Sequence, residues 1–216
     1  MPQIDMFNPN ENPENTENTF TSLDELIGKM MHMDDDPLAH AGTNVVISRG
    51  NPNAKLLIIG EAPGPEENIR GKPFVGRAGQ MLDKILESAN FNPEQDVYIT
   101  NSVFRMPPGE DGKAFRKPTD PEIEYYRPYV FEFIRLIDPV VILLTGNVAC
   151  QSVLKKTGIT SLRGKWTQSE GRWIMPIFHP SYLLRNPTRD PGSPKALMWE
   201  DIREVRKKYD ELIATP

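Results

Sequence analysis

KLLIIGEAPGPEENIRGKPFVGRAGQ, residues 55–80, is the stretch whose reading decides the fold. Its apolar run at 56–59 is short and continuous and ends in two β-branched residues, the pattern of a strand buried on both faces. The run stops at Gly60. A turn dense in glycine and proline follows (Gly60, Pro63, Gly64, Pro65), carrying Glu61, Glu66 and Glu67, and then a lone aromatic, Phe74, between Pro73 and Val75. Glycine lets backbone amides approach a ligand closely, proline stiffens the path, and open α/β sheets bind ligands just beyond the carboxyl ends of their strands.

Downstream, residues 76–89 carry Met81, Leu82, Ile85, Leu86 and Ala89 at helical spacing, which predicts a helix packed on the sheet. A second strand at 97–100 ends at Asn101. Residues 104–121 form a long loop rich in proline, glycine and basic side chains, unusual enough in a compact domain to point to function. A helix over 121–137 follows, with Pro121 at its first position and Asp120 as the expected cap. Strands at 140–144 and 173–178 lead to Asn147 and His179, and an amphipathic helix over 194–213 covers the sheet. Upstream, Ser22 and Glu25 stand at capping-box spacing and open a helix to about residue 31, which the DDDP run at 34–37 ends. This alternation predicts an α/β fold, a three-layer α/β/α sandwich around a four-stranded parallel sheet.

The length of 216 residues fits one domain with a real core, assigned to 21–216, behind an acidic leader at 1–20 that is poor in groups to bury and expected to be disordered. No basic, apolar start marks a signal peptide, and no apolar stretch nears the roughly 20 residues of a membrane span, so a cytoplasmic monomer is expected. The single cysteine, Cys150, excludes a disulfide framework and any multi-cysteine metal site within one chain. The net charge of −5 is unevenly spread: residues 1–36 hold nine acids against Lys29, leaving 24 bases and 21 acids in the remainder. An acidic leader before a mildly basic body is compatible with phosphate contacts without demanding them.

In a parallel sheet the four strand ends, Glu61, Asn101, Asn147 and His179, fall on one edge, so their polar groups converge there. GEAPGP is neither GxGxxG nor a phosphate-binding GxxxxGK[ST] loop, His32, His40 and His179 have no metal-site spacing, and no G-x-S-x-G occurs.

GEAPGPEEN at 60–68, GKPFVGRAGQMLDKIL at 71–86, YITN at 98–101 and HPSYLLRNP at 179–187 resemble, in the same order, the motifs of family-four uracil-DNA glycosylases. The resemblance covers about residues 30–210 and implies the same sandwich fold and hydrolysis of the bond between uracil and deoxyribose in DNA, by base flipping in base excision repair. By resemblance, Phe74 stacks on the extruded uracil, Asn101 reads its polar edge, and Ala62 lines the pocket. Glu61 positions the attacking water, and Glu67 crowds out thymine's methyl group. His179 donates to uracil O2 as charge develops on the leaving base. Arg77, Arg163, Ser181, Leu183, Leu184 and Arg185 face DNA, the leucines as a wedge for the vacated stack and the arginines as phosphate partners. Within the leader, Gln3, Ile4, Met6 and Phe7 lie in a pentapeptide that resembles the sliding-clamp docking motif of bacterial repair proteins, which makes the clamp an expected partner at the nucleoid.

The family's four-cysteine iron–sulfur cluster is expected to be absent, because its positions align with Met33, Asp36, Arg105 and Tyr126, and no other cofactor or metal is implied. An ion pair of Arg105 with an aspartate of the 34–36 run is the expected replacement. Asn68 stands where the family usually has aspartate. Two rival readings stay open at this level: a catalytically silent protein that binds uracil or abasic DNA, and a glycosylase of altered base range acting on hypoxanthine or xanthine.

Overall fold

The computed structural model describes residues 19–109 and 115–214. Its sheet has six strands in the order β1-β3-β2-β4-β6-β5: β1 Ser48–Gly50, β2 Leu56–Gly60, β3 Val97–Asn101, β4 Val141–Thr145, β5 Thr167–Ser169 and β6 Arg172–Ile177. The expected four parallel strands form its centre, and β1 and β5 add a short antiparallel strand at each edge. Those three-residue edges were not expected. Their residues are polar or glycine with no alternating pattern, so only pairing with β3 and β6 defines them.

β2, β3 and β4 are buried at every residue. Side chains alternate between two cores because successive strand residues point to opposite faces. Leu57, Ile59, Tyr98, Ile142 and Leu144 pack under α1 (Leu23–Met31), α4 (Asp120–Ile137) and α5 (Gly146–Leu154). Leu56, Ile58, Val97, Ile99, Leu143 and Met175 pack under α3 (Arg77–Ser88), α7 (Pro180–Arg185) and α8 (Pro194–Ile213). Among the described residues there are also two short α-helices, α2 (Pro65–Arg70) inside the glycine-rich turn and α6 (Ile159–Leu162). After β2 the chain winds to β3 on one side, then returns through α4 to β4 on the other. The winding therefore reverses at β2, and a crevice opens beyond its carboxyl end.

Local chemistry explains most boundaries. Ser22 caps α1 through Glu25 N–H at 3.2 Å, while Glu25 reaches back to Thr21. Thr119 rather than Asp120 caps α4, in a capping box closed by Glu122. Phe20, placed by sequence in the leader expected to be disordered, is buried against α4. There Glu132 accepts from its N–H at 3.1 Å, and Arg135 donates to its carbonyl. The clamp peptide and the rest of the leader lie outside the described residues. No described helix is long and apolar enough to cross a membrane.

Candidate active site

Glu61, Asn101 and His179 sit at the carboxyl ends of β2, β3 and β6, brought to one crevice by the parallel register that pairs Gly60 with Asn101. Gly60 is the centre of the arrangement. A Cβ there would lie 2.3 Å from Asn101 Oδ1 and 2.5 Å from Phe74 Cε2, so the amide and the ring close over a bare backbone that no other residue could supply. Asn101 is 2% exposed, with its side-chain amide set over Gly60 beside the Phe74 ring.

The Phe74 ring lies 5.9 Å from the His179 ring, centroid to centroid, at 31°. His179 caps α7 with its own imidazole: Nδ1 accepts from Ser181 N–H at 3.2 Å and from Ser181 Oγ at 2.8 Å. Burial, aided by nearby Arg185, pushes its pKa down to about 4, so the ring is neutral at physiological pH. A neutral ring whose Nδ1 accepts carries its proton on Nε2. The free nitrogen is therefore a hydrogen-bond donor. Gly146, at φ +89°, leaves room for the imidazole, since a Cβ there would stand 3.1 Å from that of His179.

Burial raises the Glu61 carboxyl above its usual range, against the opposing charges of Lys117 and Arg185. Ala62, beside it, is half-buried and packs on the α4 face of the core. Lys117 was not singled out by sequence. It lies at the end of the long 104–121 loop, whose basic content was its only signal, and the isolated bridge between Pro108 and Phe115 folds that loop back.

The remaining expected residues divide. Arg77 and Arg185 are exposed and form no ion pair among the described residues; Ser181 is held by His179; Leu184 is half-buried beside exposed Tyr182. Leu183 is 1% exposed and belongs to the core under α3 and α8, so it is not offered to a DNA stack. Arg163 is committed to Asp201, with Nε 2.8 Å from Oδ2, and to the Leu197 carbonyl, so its charge is already satisfied internally. Asn147 also leaves the site: its Oδ1 accepts from Gly158 and Ile159 N–H at 3.0 and 2.8 Å, pinning the α5–α6 turn. Glu67 turns its carboxylate to backbone, taking Val75 and Gly76 N–H at 2.9 and 2.8 Å and Gly64 N–H at 3.2 Å. Asn68 joins α2 to residue 44, accepting from Asn44 N–H at 2.7 Å.

A model of the uracil DNA glycosylase superfamily matches residues 47–203. The chain belongs to the uracil-DNA glycosylase superfamily. Within it, similar proteins include the Type-4 uracil-DNA glycosylase of Thermotoga maritima, 37% identical over 79% of this chain and 85% of its own length. That of Archaeoglobus fulgidus is 35% identical over 77% and 85%. A Type-5 uracil-DNA glycosylase of Pyrobaculum aerophilum is more distant, 27% identical over 65% of this chain.

The four-cysteine cluster that the family-four resemblance implies does not fit the residues present here. Among the described residues no group of three or more histidine, cysteine or acidic side chains could hold a metal ion, and the chain's one cysteine, Cys150, is buried in α5 with its thiol pushed up to about 12. The four aligned positions instead bind one another. Asp36, 4% exposed, accepts from Arg105 Nε at 2.8 Å, Tyr126 Oη at 2.5 Å and Leu38 N–H at 2.8 Å. Arg105 also donates to the Thr43 carbonyl at 2.6 Å and the Met33 carbonyl at 2.9 Å. A guanidinium cannot ligate iron, and here it occupies the centre of the network.

Proposed function

We propose that this chain is a uracil-DNA glycosylase of base excision repair, working as a monomer without metal or cluster. The observation that carries the reading is the buried Asn101 amide set beside the Phe74 ring over Gly60, a pairing of edge and face that suits a flipped pyrimidine. The Type-4 names of its relatives support the same substrate.

In this reading uracil enters between Phe74 and His179, with Asn101 on its polar edge. The bond between C1′ and N1 breaks as its electron pair passes to the base. The His179 Nε2–H stabilises the negative charge that grows on O2, an effect worth about 3–4 kcal/mol for one well-placed donor. A neutral imidazole can fill this role, because with Nδ1 accepting from Ser181 its one N–H sits on Nε2. Glu61, as carboxylate, orients the water that adds to C1′ and takes its proton; the departing uracil anion takes up a proton from solvent, leaving free uracil, an abasic deoxyribose and, once Glu61 releases its own proton, the carboxylate again. Its enclosed setting strengthens attraction to the cationic sugar. Lys117 and Arg185 flank the site as partners for the adjacent phosphates, with Arg77 further along the strand. Leu184 and Tyr182, not the buried Leu183, form the apolar wedge.

The test uses purified protein, EDTA and a labelled single-stranded oligonucleotide with one uracil, followed by alkali. A shortened product that Asn101→Ala abolishes is expected; an inactive, folded wild type would overturn the assignment. Clamp docking through Gln3, Ile4, Met6 and Phe7 is a separate part of the proposal. Pull-down with the sliding clamp should be lost in the Gln3→Ala, Phe7→Ala double variant, and undiminished capture would refute it.

A further inference from the structure

Phe74 is the residue of the site in the least comfortable conformation. Its φ of +53° lies in the left-handed region, where an aromatic side chain has no backbone reason to be. The surrounding structure holds it there from two sides. On one, Arg49 of β1, its side chain only 7% exposed, donates from Nε to the Pro73 carbonyl at 3.1 Å and directs Nη2 at the Phe74 carbonyl at 3.5 Å. The same guanidinium is anchored by Asp83 on α3 and by Glu94 at 3.0 Å. On the other, the Glu67 carboxylate takes the next two amides, Val75 and Gly76. From below, α3 presses Gly79 so close that a Cβ there would fall 1.8 Å from the Phe74 carbonyl oxygen. Carbonyls at 73–74 and amides at 75–76 are thus gripped by opposite charges on separate elements.

We propose that Arg49 and Glu67 form a two-sided brace that fixes the backbone of Phe74 so that its ring is pre-set for stacking, which makes Arg49 a positioning residue for base recognition. This rests on the uracil-excision reading above. It also gives Glu67 a role different from the steric one implied by the family resemblance: its three backbone bonds direct the carboxylate into the loop. Neither residue touches the reacting atoms. Their effect passes through the ring, and small displacements of a binding group cost rate steeply.

The experiment is a double-mutant cycle in single-turnover kinetics on the uracil oligonucleotide. Arg49→Ala should lower kcat/KM roughly 10-fold, chiefly through KM, in the otherwise native chain, but less than about 2-fold when Phe74 is already alanine. Arg49→Lys, which keeps one charge but not the fork, should fall between and shows the same dependence if Arg49→Ala fails to fold. Equal losses with and without the Phe74 ring, or a loss in kcat alone with unchanged KM, would overturn the brace. An inactive wild type would instead refute the uracil reading, so the two failures are distinct.

Discussion

Two polar clusters in this protein are built on opposite plans. Around Asp36 the acceptor and donor atoms meet one another: carboxylate, guanidinium, phenol and backbone carbonyls share one closed set of bonds, leaving only the nearby Thr43 hydroxyl unpartnered. In the crevice beyond β2, the Asn101 amide lies beside the Phe74 ring, Glu61 is held above its usual pKa and His179 below its own. The first arrangement spends its polar groups on the fold. The second, in the proposed reading, turns them toward a substrate. Stability should therefore respond to changes in the first cluster and chemistry to changes in the second.

The largest expected effect is on the fold. Asp36→Ala leaves Arg105 and the Tyr126 hydroxyl without their shared acceptor, a loss of about 3–5 kcal/mol for breaking a buried pair. Urea unfolding should show it, while the folded fraction cleaves uracil at the native rate; a variant as stable as the parent would mean that the network holds nothing. Next comes His179→Ala, expected to slow single-turnover cleavage roughly 10²–10³-fold. Losing the cap on α7 should cost only about 1 kcal/mol of stability, and a collapse as large as that of Asp36→Ala would erase the contrast between the clusters.

Tyr126→Phe is a finer probe. It removes one of the bonds to Asp36 and should cost about 1 kcal/mol, or roughly 2–4 °C in a chain of this size, with catalysis untouched. The smallest effect concerns pH. Burial raises the Glu61 pKa, so the carboxylate form, and with it activity, is lost as pH falls through a value above 4.5, while His179 protonates only near 4. Lys117 opposes that rise, so Lys117→Ala should move the acid limb to higher pH. A limb that stays in place would remove Lys117 from the site.

The central strands, the cap at Ser22 and the last helix were all legible from sequence, because each depends on neighbours a few residues away. So was the partnership of Arg105 with the 34–36 run, once the aligned positions were seen to lack cysteine. The exceptions share a cause. Leu183 and Leu184 are chemically alike, and only packing under α3 and α8 buries the first and leaves the second partly open. Arg163 looks like any surface cation until α8 brings Asp201 to it. Asn147 ends a strand as Asn101 does, but the turn after α5 consumes its side chain.

By itself, then, the sequence determined a doubly wound α/β domain and the identities of the groups at its strand ends, since periodicity and turn chemistry are local properties of the chain. Which of those groups remain free was decided only by tertiary structure. Arg49 is the clearest case. Nothing near residue 49 marks it, because its partners lie 24 to 45 residues away on three separate segments, and only the pairing of β1 with β3 brings them together.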